Sequence, residues 1–121
     1  MSVTGPQQSR SFAAEAHELD GVVVVVVRGE IDLVTGPRLE AVVDEVILDG
    51  GRPRPLIVDL CECTFMDSTG LAILLRAEDL LRADLAIACV PEGAPARLLE
   101  LAAGNVLRRY ATREDALAAL R

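Results

Sequence analysis

The stretch Asp20-Gly21-Val22-Val23-Val24-Val25-Val26-Val27-Arg28-Gly29-Glu30-Ile31-Asp32 decides how this chain is read. Asp-Gly is a strong two-residue hairpin signal, because both positions tolerate the positive φ of a type I′ turn. The six valines after it are poor helix formers and good strand formers. A run apolar on both faces predicts a strand covered on both sides or central in its sheet. Phe12 to Leu19, which alternates weakly before the turn, is expected to form an edge strand.

Downstream, Gly36-Pro37 opens a helix with proline at a tolerated first-turn position. Leu39, Val42, Val43, Val46 and Ile47 share one helical face. Asp49-Gly50-Gly51, followed by Pro53 and Pro55, ends that helix in a loop. Leu56 to Leu60 reads as a buried strand. A second helix is expected after Asp67, to about Arg82, with Leu71, Leu74, Leu75, Leu80 and Leu81 as its main apolar residues. Leu85 to Val90 is another short strand. Pro91, Gly93 and Pro95 mark a loop before a helix carrying Leu98, Leu99 and Ala102, capped by Gly104. Val106 to Tyr110 is expected as a last, edge strand. Thr112-Arg113-Glu114-Asp115 resembles a capping box, and Ala116, Leu117 and Leu120 form the inner face of the final helix.

The order β-β-α-β-α-β-α-β-α predicts an α/β fold: a mixed, mostly parallel central sheet of about five strands flanked by four helices. One domain over 13–121 is expected, behind a flexible tail over 1–12. A chain of 121 residues suits a single domain and buries a real core without staples.

Composition excludes several classes. The formal charge is −7, so the surface repels nucleic acid and anionic lipid and suits partners with basic patches. With no Trp, one Tyr and two Phe, the chain lacks aromatic platforms for stacking bases. All basic residues are Arg, which removes lysine chemistry of the Schiff-base and P-loop kinds. No run reaches the ~18 apolar residues of a membrane span, and Met1 to Arg10 has no apolar signal core. A cytoplasmic location is the default expectation. The acidic surface and edge strands permit a monomer or a weak homodimer.

Phe65-Met66-Asp67-Ser68-Thr69-Gly70-Leu71 lies between a strand and a helix. Asp67 and Ser68 both suit an N-cap, and capping alone would account for the local pattern. A hydroxyl there also sits beside unpaired N–H groups and a positive dipole end. A phosphate on Ser68 would add about −2 charge. It would repel Asp67, Asp32 if its loop shares that sheet end, and any partner docked against them.

Gly29-Glu30-Ile31-Asp32, then Asp59-Leu60, then Phe65 to Leu71 together resemble the ordered signature of the STAS family of anti-sigma factor antagonists, bacterial partner-switching regulators. Leu98 to Gly104 and the helix around Glu114 to Leu117 also fit, so the resemblance spans roughly Ala13 to Leu120. It implies that the unphosphorylated protein binds an anti-sigma factor with serine kinase activity, freeing the sigma factor for transcription. The kinase would phosphorylate Ser68, which blocks binding, and a serine phosphatase would reverse it. Asp32, Asp67, Ser68, Thr69 and Gly70 would form the partner-binding surface. The resemblance implies a kinase substrate and binding module, not an enzyme, with no cofactor and no metal. The alternative is a STAS module never phosphorylated, acting as a scaffold in a sensory complex or the soluble subunit of a lipid transporter. The short connection Arg82-Ala83-Asp84 lacks the family's common Gly pair, and Cys61 and Cys63 replace smaller or apolar residues.

Cys61, Cys63 and Cys89 are too few and odd in number for a disulfide framework. If the strand continues, Cys61 and Cys63 fall on one side, as a redox pair or half a metal site. The plainer account is buried thiols acting as small hydrophobes. His17 has no evident nucleophile, and Ser68 lacks a Gly-x-Ser-x-Gly elbow, which disfavours a triad.

Overall fold

The computed structural model describes residues 12–49 and 53–121. The expected element order is the one found. Strand β1 (Ala13–Leu19) and strand β2 (Val22–Ile31) are followed by helix α1 (Gly36–Leu48), strand β3 (Leu56–Met66) and helix α2 (Ser68–Leu81). A 3-10 turn (Arg82–Asp84) leads to β4 (Leu85–Ala88), α3 (Ala94–Ala103), β5 (Arg109–Tyr110) and α4 (Arg113–Leu120). The five strands lie in the order β1-β2-β3-β4-β5. Only β1 runs against its neighbour; the other pairs are parallel.

Asp20 and Gly21 close the opening hairpin with φ of 55° and 83°, the left-handed pair that a type I′ turn requires. All six valines of the run are buried. Val23, Val25 and Val27 face the main core with Leu39, Leu74 and Leu99 from the first three helices. Val22, Val24 and Val26 face the opposite side, with Ala116 and Leu117 of α4. Each fully buried valine contributes about 1.5 kcal/mol or more, so both layers are anchored on β2.

Several boundaries differ from the sequence reading. Phe12, assigned to the tail, is buried at 3% exposure with the Arg38 guanidinium over its ring. Phe12 thus packs with the core, while the rest of the expected tail and Gly50-Gly51 lie outside the described residues. Strand β3 continues past Leu60 to Met66, because β2 pairs with it as far as Ile31. Strand β4 stops at Ala88, and β5 is only two residues long. In the second helix Ile73 and Ala77 join Leu74 and Leu81 inside, whereas Leu80 is exposed. In α3 the buried face is Pro95, Ala96, Leu99 and Ala103, not Ala102. Gly104 is the C-cap of α3, in right-handed helical backbone.

Two register shifts in β3 matter most. Val26 faces Asp59 but Arg28 faces Glu62, and Gly29 faces Cys63 but Glu30 faces Phe65. Each step fits one extra residue into β3, and each reverses which way the side chains point. Leu56, Val58 and Leu60 face the main core; after the first shift Cys63 does, and after the second Met66. Cys61 instead packs on the α4 side with Ile57. The two cysteines expected to share a side are therefore on opposite faces.

Candidate functional site

Strands β2 and β3 end together. Ile31 pairs with Met66, and the Asp67 N–H donates to the Ile31 carbonyl at 3.1 Å. Asp32 and Asp67 thus leave the sheet side by side at its carboxyl end, the place where open α/β sheets build sites.

Asp32 heads a tight turn. Its carboxylate accepts from the N–H groups of Val34 at 2.9 Å and Thr35 at 3.0 Å. The Asp32 N–H in turn donates to Thr35 Oγ1 at 2.9 Å, and that hydroxyl donates to the Glu30 carbonyl at 2.7 Å. The Thr35 N–H, more than any other contact, holds the Asp32 carboxyl below its usual range. The same turn turns Leu33 and Val34 outward, each 79% exposed.

Of the two N-cap candidates, Asp67 is the cap. Its side chain accepts from the Thr69 N–H at 2.8 Å, satisfying one orphan donor of α2. Ser68, the first residue of α2, is exposed and is spared that task. Gly70 is buried, because a Cβ there would stand 2.5 Å from Met66 Cγ and 3.0 Å from Ile31 Cγ2. Its missing side chain lets the first turn of α2 sit directly on the two strand ends. Thr69 is half-buried and lies against the start of α1. All five residues singled out from sequence, Asp32, Asp67, Ser68, Thr69 and Gly70, therefore meet at one end of the sheet.

Beside them, a groove of about 310 Å³ runs between the starts of α1 and α2, lined by Leu33, Gly36, Pro37, Thr69, Ile73 and Arg76 among others. Arg76 closes its far side through ion pairs to Glu40 and Asp44. Phe65 is 45% exposed at the end of β3. The surface around Ser68 thus combines two carboxylates with exposed apolar side chains. Sequence reading missed Leu33 and Val34, whose signal is an apolar residue where the backbone turns, and it quoted Phe65 within the motif without assigning it to the surface.

Other candidates fall away. His17 pairs with Val24, seven residues along β2 from Ile31, which at ~3.3 Å per residue sets it roughly 23 Å from Ser68. Burial raises the thiol pKa of Cys63 and of Cys89. Cys61 is pushed up to about 12 by burial and by Asp59. Among the described residues no group of three His, Cys, Asp or Glu side chains converges to hold a metal ion, and no helix is long and apolar enough to cross a membrane.

A second polar cluster, also missed, lies on the α4 side. Asp59 is buried in β3; its Oδ2 accepts from Arg113 Nε at 2.9 Å and pairs with the same guanidinium's NH2 group at 2.8 Å. Its Oδ1 accepts from the Cys61 N–H at 2.9 Å. The pair fastens α4 to the sheet, far from Ser68 in role.

Comparison with known proteins agrees with this geometry. The model of the STAS domain family matches residues 13–116. The anti-sigma-F factor antagonist RsfB of Mycobacterium tuberculosis is 32% identical over 115 residues, covering 92% of this chain and 91% of that protein. A crystal structure of an anti-sigma factor antagonist from Mycobacterium paratuberculosis superposes with a TM-score of 0.82 at 33% identity, over 92% of this chain and 95% of that one. The Bacillus cell fate determinant SpoIIAA in its phosphorylated form shares the fold, with a TM-score of 0.62 at 22% identity over 90% of this chain and 100% of that one.

Proposed function

The chain belongs to the STAS domain family, and from that premise we propose that it is an anti-sigma factor antagonist switched by phosphorylation of Ser68. Unmodified, it binds an anti-sigma factor that is also its serine kinase. Phosphate on Ser68 ends the complex, and a serine phosphatase restores it. The protein is the substrate and the docking partner in this cycle, and the kinase brings the ATP.

The observation that carries this reading is the exposed Ser68 at the first position of α2, with Asp67 already serving as the cap. A hydroxyl in that place can be reached by an enzyme and carry charge without unfolding its neighbours. The N-terminal dipole of α2 favours the added anion locally. The partner meets the opposite effect: a neutral hydroxyl between two carboxylates becomes a dense anionic cluster. Two unit charges 4 Å apart interact by about 4 kcal/mol at an effective dielectric of 20. A fraction of that lowers affinity tenfold or more. Leu33, Val34 and Phe65 supply the apolar part of the docking surface, and Asp32 and Asp67 the acidic part.

The test is direct. Incubated with ATP and the anti-sigma kinase that binds it, the protein should gain the mass of one phosphate, and Ser68→Ala should gain none. Ser68→Asp should weaken binding at least tenfold. A stable complex with that kinase and no mass gain would overturn the switch. Binding to a membrane-transporter ATPase, unchanged by Ser68→Asp, would establish the scaffold or transporter-subunit reading instead.

A further inference from the structure

We propose that the chain pairs with a second copy of itself along strand β1, antiparallel and centred on Ala16, extending the five-stranded sheet into a two-fold ten-stranded one. The inference rests on hydrogen-bond parity and on charge. Among the described residues, strand β1 is the outermost strand at its end of the sheet. Its hairpin closes on the pair Leu19–Val22, and the Val23 N–H points the other way, to the Pro55 carbonyl across β3's leading edge. Val22 and Val24 therefore bond toward β1, to Leu19 and His17. By strict alternation the backbone groups of Ala14, Ala16 and Glu18 point outward.

Those outward groups can meet a second antiparallel copy only in registers that pair even positions with even. Centred on Ala16, Ala16 faces its own copy and Ala14 faces Glu18. Glu15 then faces His17 of the second copy in a close, non-hydrogen-bonded pair, and the two-fold axis makes that pair twice. Shifting the centre to Glu15 sets two carboxylates opposite each other, which is unfavourable, and shifting it to His17 forfeits the Glu15–His17 pair. That pair, an ion pair where the imidazole is protonated, thus selects one register. It also extends a ladder: Glu62 pairs with Arg28 at 3.1 Å, Arg28 with Glu15 at 3.6 Å and Glu15 with its own chain's His17 at 3.7 Å, and His17 of the second copy joins it from across the axis. Edge charges usually blunt strand edges against pairing; here they act as a filter that admits this one match. The other sheet edge, β5, is only two residues long, so the contact closes as a dimer instead of growing into a fibre.

Seven residue pairs bury less than the ~1,000 Å² of a durable interface. Each copy also carries −7 charge, so association needs salt to shorten the repulsion to about 8 Å. The dimer is accordingly a transient one that fills only at high protein concentration.

Sedimentation of the full chain in 0.15 M salt, from 20 µM to 1 mM, tests this. The mean mass should rise toward the dimer. His17→Glu should weaken association at least tenfold, and Glu15→Lys with His17→Glu should restore it. Amide exchange, which needs no variant, should show Ala16 and Glu18 gaining protection at 1 mM while His17 does not change. A monomer at 1 mM overturns the proposal. So does a dimer with Ala16 and Glu18 unprotected, or a charge exchange that fails to rescue.

Discussion

Thr69 occupies the space that a side chain at position 36 would need: a Cβ on Gly36 would lie 2.5 Å from Thr69 Cγ2. The starts of α1 and α2 are therefore locked together, and the groove beside Ser68 takes its shape from that contact. Gly36→Val should force them apart at a cost of about 1–3 kcal/mol. Urea unfolding should show the loss. Partner affinity should fall as well, although Asp32, Asp67 and Ser68 are untouched. Unchanged stability would mean that the two helix starts give way freely.

Asp67 caps α2 and carries charge, and two substitutions separate these roles. Asp67→Ala removes the acceptor for the Thr69 N–H and should cost about 1 kcal/mol. Asp67→Asn keeps the cap and should leave stability nearly unchanged. Both should weaken binding to the anti-sigma partner if the carboxylate touches it. Full affinity in Asp67→Asn would assign the residue to capping alone.

Much of this fold was legible because its signals are local and mutually consistent. Six consecutive valines admit few readings besides a strand, and Asp20-Gly21 specifies its turn. The placement of the candidate site was legible for a related reason: Asp67 and Ser68 announce a helix start, and two parallel neighbours end at the same edge of a sheet. The bulges in β3 were not legible. They depend on how β2 and β3 share hydrogen bonds, a pairing between distant segments, so Cys61 and Cys63 were placed on one face when they occupy two. Asp59 and Arg113 were hidden likewise, since 54 positions separate the partners of that ion pair.

The Asp59–Arg113 pair links β3 to α4. Removing one partner strands the other, whose solvation the fold has already given up. Arg113 keeps partial contact with water, its side chain 37% exposed, which moderates the cost. Arg113→Ala should therefore destabilise by about 2–3 kcal/mol in chemical unfolding. Ser68 phosphorylation by the cognate kinase should proceed normally in whatever fraction remains folded.

The cysteines give a pH signature. Burial and then Asp59 push the Cys61 thiol up to about 12 from an ordinary value of 9.0. The folded chain keeps a proton that the unfolded chain releases. That contribution is complete below pH 9 and is lost as pH climbs through the interval from 9 toward 12. Stability should fall across that alkaline window, and Cys61→Ala should flatten the fall. Thiol reagents at pH 8 should react slowly with the folded protein and rapidly after unfolding. Two fast thiols in the folded protein would contradict the burial seen at Cys63 and Cys89.

Arg82 marks a strained link between α2 and β4. Its backbone stands at φ 50° and ψ −118°, a region that favours glycine. The conformation persists because the Arg82 carbonyl accepts from the Leu85 N–H and from the Arg108 side chain. Arg82 is exposed, so its side chain contributes little packing. Arg82→Gly should relieve about 1–3 kcal/mol of backbone strain and lose about 0.5–1 kcal/mol to chain entropy, for a net gain near 1 kcal/mol. The urea midpoint should rise with an unchanged slope, whereas Arg82→Ala should show no such gain. This turn follows the far end of α2 from Ser68, so phosphate transfer and partner affinity should be unaltered. A lower midpoint in Arg82→Gly would show that the turn is held without strain.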